Sequence, residues 1–157
     1  MEKNEYFPMA IGDTWNYADS QTGTTLTISV DSLVTKSGVE YYHLKNFAPF
    51  FFRSSISKIY AFDKDAGADV LYLDFAADSF ETHLAGSNIK VSLMATYDSL
   101  TIKNRVFKTV RRYSFHNRQV IDADLELYLC KDVGIVRYVI LGAGTYYFES
   151  TDYTLTR

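Results

Sequence analysis

Ile89-Lys90-Val91-Ser92-Leu93-Met94-Ala95-Thr96-Tyr97 decides the fold class. Ile89, Val91, Leu93, Ala95 and Tyr97 alternate with Lys90, Ser92, Met94 and Thr96. Successive side chains of a strand point to opposite faces, so this is a strand with one apolar and one wetter face. The same period recurs on either side. In 25–30, Leu26, Ile28 and Val30 alternate with Thr25, Thr27 and Ser29. In 121–129, Ile121, Ala123, Leu125, Leu127 and Leu129 alternate with Asp122, Asp124, Glu126 and Tyr128. One-sided strands are the mark of antiparallel sheets.

β-branched and aromatic enrichment adds strands at 14–18, 39–46, 51–62, 70–75, 106–115, 135–141 and 145–156. Turn-forming clusters separate them, among them Gln21-Thr22-Gly23, Lys36-Ser37-Gly38, Asp65-Ala66-Gly67, Gly86-Ser87-Asn88, Lys103-Asn104, His116-Asn117 and Gly142-Ala143-Gly144. No window carries a convincing helical stripe. At most one short helix, over 76–84, has any support. The expected fold is all-β: a mainly antiparallel β-sandwich or an incompletely closed barrel of nine to eleven strands. The chain of 157 residues has two prolines, Pro8 and Pro49, and no linker, repeat or charge run. It reads as a single β domain over 1–157, with 1–5 a flexible polar tether.

Composition narrows function mainly by exclusion. Charged residues make up 22% and the net charge is −3, which disfavours a nucleic-acid binder. No apolar run is long enough for a transmembrane helix. The unusual figure is the aromatic share, 16%, from 13 Tyr, 11 Phe and 1 Trp. Cys130 is the sole cysteine, so no intramolecular disulfide forms. Its apolar setting, Leu127-Tyr128-Leu129-Cys130, reads as a small buried hydrophobe. The polar start Met1-Glu2-Lys3-Asn4-Glu5 shows no leader. It suits an exported protein lacking its leader here, and a cytoplasmic protein as the alternative.

Candidate chemistry is sparse. Asp63, Asp65, Asp69 and Asp74 fall at calcium-loop positions 1, 3, 7 and 12. The glycine, however, is at position 5 and the flanks read as strands, so a hairpin turn is expected and no metal site. His43, His83 and His116 lack metal-ligand spacing. Gly142-Ala143-Gly144-Thr145 precedes a strand, not a helix, and is no dinucleotide loop. Arg111 and Arg112 face opposite ways on a strand, so with Arg105, Lys108 and Arg118 they make no one-sided phosphate patch. No cofactor is expected. Phe47-Ala48-Pro49-Phe50-Phe51-Phe52 is the densest aromatic block. It reads either as a buried crossing strand or as an aromatic lip for an apolar ligand or a protein partner. The candidate ligand-binding residues are Phe50, Phe51, Phe52 and Tyr41.

Two segments carry a resemblance. They are Tyr6-Phe7-Pro8-Met9-Ala10-Ile11-Gly12-Asp13-Thr14-Trp15-Asn16-Tyr17 and Tyr128-Leu129-Cys130-Lys131-Asp132-Val133-Gly134-Ile135-Val136-Arg137-Tyr138. Together they resemble uncharacterised bacterial exported or lipoprotein-type β-domain proteins. These open with a YFPxxxGxxWxY stretch and close with a VGIV strand start. The resemblance implies export to the cell envelope or periplasm, with or without a lipid anchor, and a curved antiparallel sheet. It implies no activity. Physically, Gly12 suits a tight turn, Trp15 and Tyr17 share one strand face and anchor the core, and Gly134 permits a bend.

The leading expectation is a non-enzymatic envelope binding or interaction domain, one form of which holds an apolar or lipid-like ligand in a concave sheet. The alternatives are a hydrolase with an Asp/His site, resting on pairs such as Asp63 and Asp74, and a structural accessory domain of a larger surface complex. For strand 121–129 the expectation is specific. Ile121, Ala123, Leu125, Leu127 and Leu129 face the core, and Asp122, Asp124 and Glu126 face water beside Arg111 or Arg112 and Arg118.

Overall fold

A computed structural model describes residues 4–84, 88–117, 119, 124–142 and 144–156. Twelve strands are present: β1 (Thr14–Asp19), β2 (Thr25–Lys36), β3 (Val39–Lys45), β4 (Phe51–Ser54), β5 (Lys58–Asp63), β6 (Ala68–Asp74), β7 (Glu81–His83), β8 (Ile89–Ile102), β9 (Arg105–Asn117), β10 (Asp124–Cys130), β11 (Gly134–Leu141) and β12 (Tyr146–Thr154). All belong to one antiparallel sheet in the order β6-β5-β4-β3-β2-β1-β12-β11-β10-β9-β8-β7. The count exceeds the expected nine to eleven for two local reasons. The aromatic run 51–62 breaks at Ser55-Ile56-Ser57 into β4 and β5. The segment weighed as a helix supplies the three-residue β7 instead.

The incompletely closed barrel is the version that forms. A single sheet curls until its two ends, β6 and β7, approach without pairing. The gap is bridged by side chains. Tyr72 on β6 packs on Phe115 of β9 with ring centroids 5.1 Å apart. The Tyr113 hydroxyl donates to the Asp74 carbonyl at 2.8 Å. Phe75 and Phe80, in the crossing loop, both meet the Tyr113 ring edge-on.

The inner face holds a cluster built around Trp15, Tyr17, Phe7, Phe52, Tyr113, Leu127 and Leu129. Aromatic contacts run through it without a break. Trp15 meets Phe7, Phe7 meets Phe47, and Phe47 meets both Phe52 and Tyr138. Phe52 continues to Tyr72, and Tyr138 continues to Phe148. Such rings bring large apolar area and favourable edge geometry at once.

The two chain segments quoted for their resemblance interlock. Trp15 is fully buried, and its indole N–H donates to the Val133 carbonyl at 2.6 Å. The Tyr17 hydroxyl donates to the Ile135 carbonyl at 2.9 Å. Gly134 lies between them at φ +98°, and a Cβ there would fall 2.8 Å from Trp15 Nε1. Glycine is therefore required twice, by conformation and by space. Residues 4–5, expected in the tether, are fixed. Asn4 is fully buried, donates to the Ser55 carbonyl and accepts from the Tyr6 and Phe7 amides. The Asp132 amide donates to the Glu5 carbonyl.

A second apolar cluster, of Ile102, Phe107, Val110, Tyr128, Cys130, Val136 and Val139, lies on the outer face. The far end of the β8–β9 hairpin covers it. Pairing of β9 with β10 ends at Val110↔Cys130, while β8–β9 pairing continues to Ile102↔Arg105. At the departure point Thr109 has φ +55°, a conformation costing about 1–3 kcal/mol for a β-branched residue. The free arm folds back across the sheet. Arg105 donates to the Thr151 carbonyl on β12, and its guanidinium lies over the Phe107 and Tyr153 rings.

The outer face of β10 differs from the expectation. Leu127 and Leu129 do face the core, but Glu126 does not face water: it is only 9% exposed. It pairs with Arg112, whose Nε donates to it at 3.1 Å. Asp124 is half-exposed and is met by His116 Nδ1 at 2.7 Å. Ile121, Asp122, Ala123 and Arg118 lie outside the described residues, as do Gly86, Ser87 and Ala143 of the expected turns.

Candidate functional site

The four residues singled out by sequence do not line one surface. Phe52 is fully buried and points inward. Phe50 is half-buried against the same inner cluster, touching Phe52 and Tyr72. Phe51 sits on the opposite face of β4, because neighbours on a strand must alternate. Tyr41 shares that outer face. Its ring stands edge-on to Phe62 at 5.3 Å, and its hydroxyl donates to Asp69 Oδ1 at 2.7 Å.

Around Tyr41 and Phe51 the outer face of β2–β6 carries an organised set of side chains. Phe52↔Ala61 is a register pair of β4 and β5, which sets Phe51 beside Phe62. The Lys36 ammonium, from the end of β2, lies 4.2 Å from the centroid of Phe51 and 5.3 Å from that of Phe62. Next to this pair, Arg53 forms an ion pair with Asp69 and stacks its guanidinium on Tyr60 at 4.3 Å. Burial first, and then the Asp69 carboxylate, raises the Tyr41 phenol above its ordinary pKa. Phe62 and Arg53 carried no site signal in the sequence; Lys36 stood out only within a turn cluster and Asp69 only as a calcium-loop position. The β4–β5 pairing that brings Phe62 to Phe51 follows from a turn inside an apparently continuous strand.

The remaining polar groups read as structural. Asp63 accepts from the Asp65 and Ala66 amides at 2.8 and 3.1 Å, a turn role. Asp69 is held by Arg53 and Tyr41. Asp74 caps the Ala76 amide and faces Lys58 at 3.5 Å. Asp63 and Asp74 lie at opposite ends of the β5–β6 hairpin, so the carboxylate pair considered for hydrolysis does not converge.

His43 Nδ1 meets Asp31 Oδ1 at 2.7 Å, which holds that carboxyl below its usual pKa. The Ser32 hydroxyl donates to the same Asp31 oxygen. A nucleophilic triad needs histidine between serine and acid. Here the acid is in the middle. Asp19 spends its carboxylate on the Thr22 hydroxyl and on the Thr22, Gln21 and Tyr147 amides, and its pKa is lowered chiefly by Thr22. Cys130 is buried among apolar groups under the arm, and burial pushes its thiol up to about 11. A reactive cysteine needs the opposite shift. Among the described residues no group of three or more His, Cys, Asp or Glu side chains is placed to hold a metal ion.

No protein-family model matches the chain, and no curated protein is similar to it. A solved structure that is similar is that of a "putative lipoprotein" from Parabacteroides distasonis, 12% identical, with a TM-score of 0.45 over 98% of this chain and 100% of that one. Similarity at that level supports no transfer of fold or function.

Proposed function

We propose that the chain is a non-enzymatic binding or interaction domain of the cell envelope that works through its outer surface. The carrying observation is the unbroken run of aromatic contacts across the barrel, from Trp15 through Phe47 and Phe52 to Phe115. Among the described residues the concave face is lined by side chains of the protein's own aromatic core. Ligand sites are ordinarily concave and largely preformed, so recognition moves to the outside.

The distribution of charge agrees. Arg53–Asp69, Arg112–Glu126 and Arg137–Glu149 pairs stand on the outer face while the interior is apolar. This is the inverse of a lipid-facing barrel, which is apolar outside. Among the described residues no helix is long and apolar enough to cross a membrane. Envelope placement rests on the resemblance of the segments 6–17 and 128–138 to exported β-domain proteins.

Two measurements test the reading. Fractionation of cells expressing the full-length gene should place the product with the envelope, and recovery in the cytoplasm would refute that part. Native mass spectrometry of the purified domain should show the bare chain mass. A stoichiometric lipid retained on purification would restore the internal-cavity version.

A further inference from the structure

We propose that Phe51 and Phe62, flanked by Tyr41, form a binding site for a quaternary ammonium group, and that Lys36 occupies it as an internal stand-in. This rests on the surface-binding reading and deepens it by naming a ligand class.

The argument begins with what Lys36 lacks. A lysine ammonium has three N–H donors and no acceptor. Among the described residues this one makes no ion pair and no hydrogen bond; its contacts are the faces of Phe51 and Phe62, at 4.2 and 5.3 Å. The ammonium reaches them past β3, since Lys36 pairs with Val39 while Phe51 and Phe62 stand on β4 and β5. A long, flexible side chain is thus placed by cation–π attraction alone, which is weak at an exposed site.

The site therefore offers π-faces and leaves N–H donors to solvent. A cation with no N–H, such as a trimethylammonium group, gives up nothing there and matches the faces more fully. Neither nearby anion competes: Asp69 is already taken by Arg53 and Tyr41, and Asp31 by His43, whose ring packs on Phe51. The two bonds to Asp69 also fix Tyr41, whose edge-on contact holds the Phe62 ring. The rings are supported from below, since Phe52 and Ala61, on the opposite face of the same strands, are buried in the core. The clasp is thus preorganised, and its present occupant is weakly held and tethered. Displacement by a free cation needs only a modest gain, and removal of the lysine side chain opens the site.

The test is an NMR titration of the domain with tetramethylammonium chloride, following the amides of residues 36, 51 and 62. Lys36→Gln should give saturable shifts at 51 and 62 and bind about fivefold more tightly than the parent chain, the factor that ~1 kcal/mol of self-competition corresponds to. Adding Phe51→Leu or Phe62→Leu, which keep apolar bulk but remove the π-face, should each lose about fivefold. Sodium chloride at equal strength controls for the deleted charge. Absence of saturable shifts in Lys36→Gln, an equal response to sodium, or indifference to both leucine substitutions would each overturn the proposal.

Two further arms identify the source. Tighter binding of choline or phosphocholine in solution indicates a free ligand. Co-sedimentation with phosphatidylcholine vesicles that choline competes away indicates a lipid headgroup. A response only to a lysine-containing peptide, with none to tetramethylammonium, would refute the quaternary-ammonium site. These failures are separate from those of the envelope reading, which fractionation decides.

Discussion

Strand β10 has an inner face of Leu127 and Leu129 and an outer face of Glu126, Tyr128 and Cys130, and the two are covered by different means. The inner face is sealed because the whole sheet curls and β1 to β6 and β8 to β12 all contribute. The outer face is sealed by one hairpin, β8–β9, which leaves the sheet at Thr109 and returns over β10, β11 and β12. The inner core is redundant, with contacts reaching it from many elements. The outer one depends on the few side chains of a single arm, and local opening free energies track that density of contacts. The comparison shows that burial of a residue and membership of the central core are separate properties.

The largest effect should fall on the inner face. Trp15→Ala removes a fully buried ring and its hydrogen bond to Val133 and should cost about 3–5 kcal/mol in chemical denaturation. The native protein should emit at short wavelength. A solvent-like emission maximum, or a cost under ~1 kcal/mol, would mean that the inner core does not organise the barrel.

The arm should respond next, and differently. Phe107→Ala should cost about 3 kcal/mol and should also unmask Cys130. In the parent chain the thiol is buried and pushed up to about 11, so at pH 8 it stays neutral and should react slowly with a disulfide reagent. The variant should react faster under native conditions. An equally slow reaction would break the distinction between the two clusters.

Gly134→Ala strikes the joint between the chain's two ends. The left-handed backbone and the 2.8 Å approach to Trp15 should together cost about 2–4 kcal/mol, read as a lowered denaturation midpoint. Glu126→Gln should cost about 1–2 kcal/mol, between the values for exposed and for buried ion pairs, because Glu126 is mostly covered while Arg112 is partly open. Asp124→Asn, whose partner His116 is half-exposed, should cost under ~1 kcal/mol. If thermal melts rank Asp124 above Glu126, the deeper burial of Glu126 does not set the cost of these two ion pairs.

Part of the candidate site was legible. Tyr41 and Phe51 were singled out, and both stand on the outer clasp. Phe50 and Phe52 were grouped with them by density of aromatics, although strand alternation alone separates Phe51 from Phe52. Lys36 was legible only as part of a turn signal, because its reach over β3 depends on register and side-chain direction.

The antiparallel all-β class, the alternation that turns Leu127 and Leu129 inward, and the anchoring role of Trp15 are all readable from the residues alone. Each follows from a period of two or from a residue's own size and chemistry, which are local properties. The curling of the sheet into one open barrel, the return of β8–β9 over Tyr128 and Cys130, and the meeting of Phe62 and Lys36 with Phe51 emerge only in the folded chain. These depend on which distant strands become neighbours. Period-two alternation tells a side chain which face it takes, but not what the chain lays over that face.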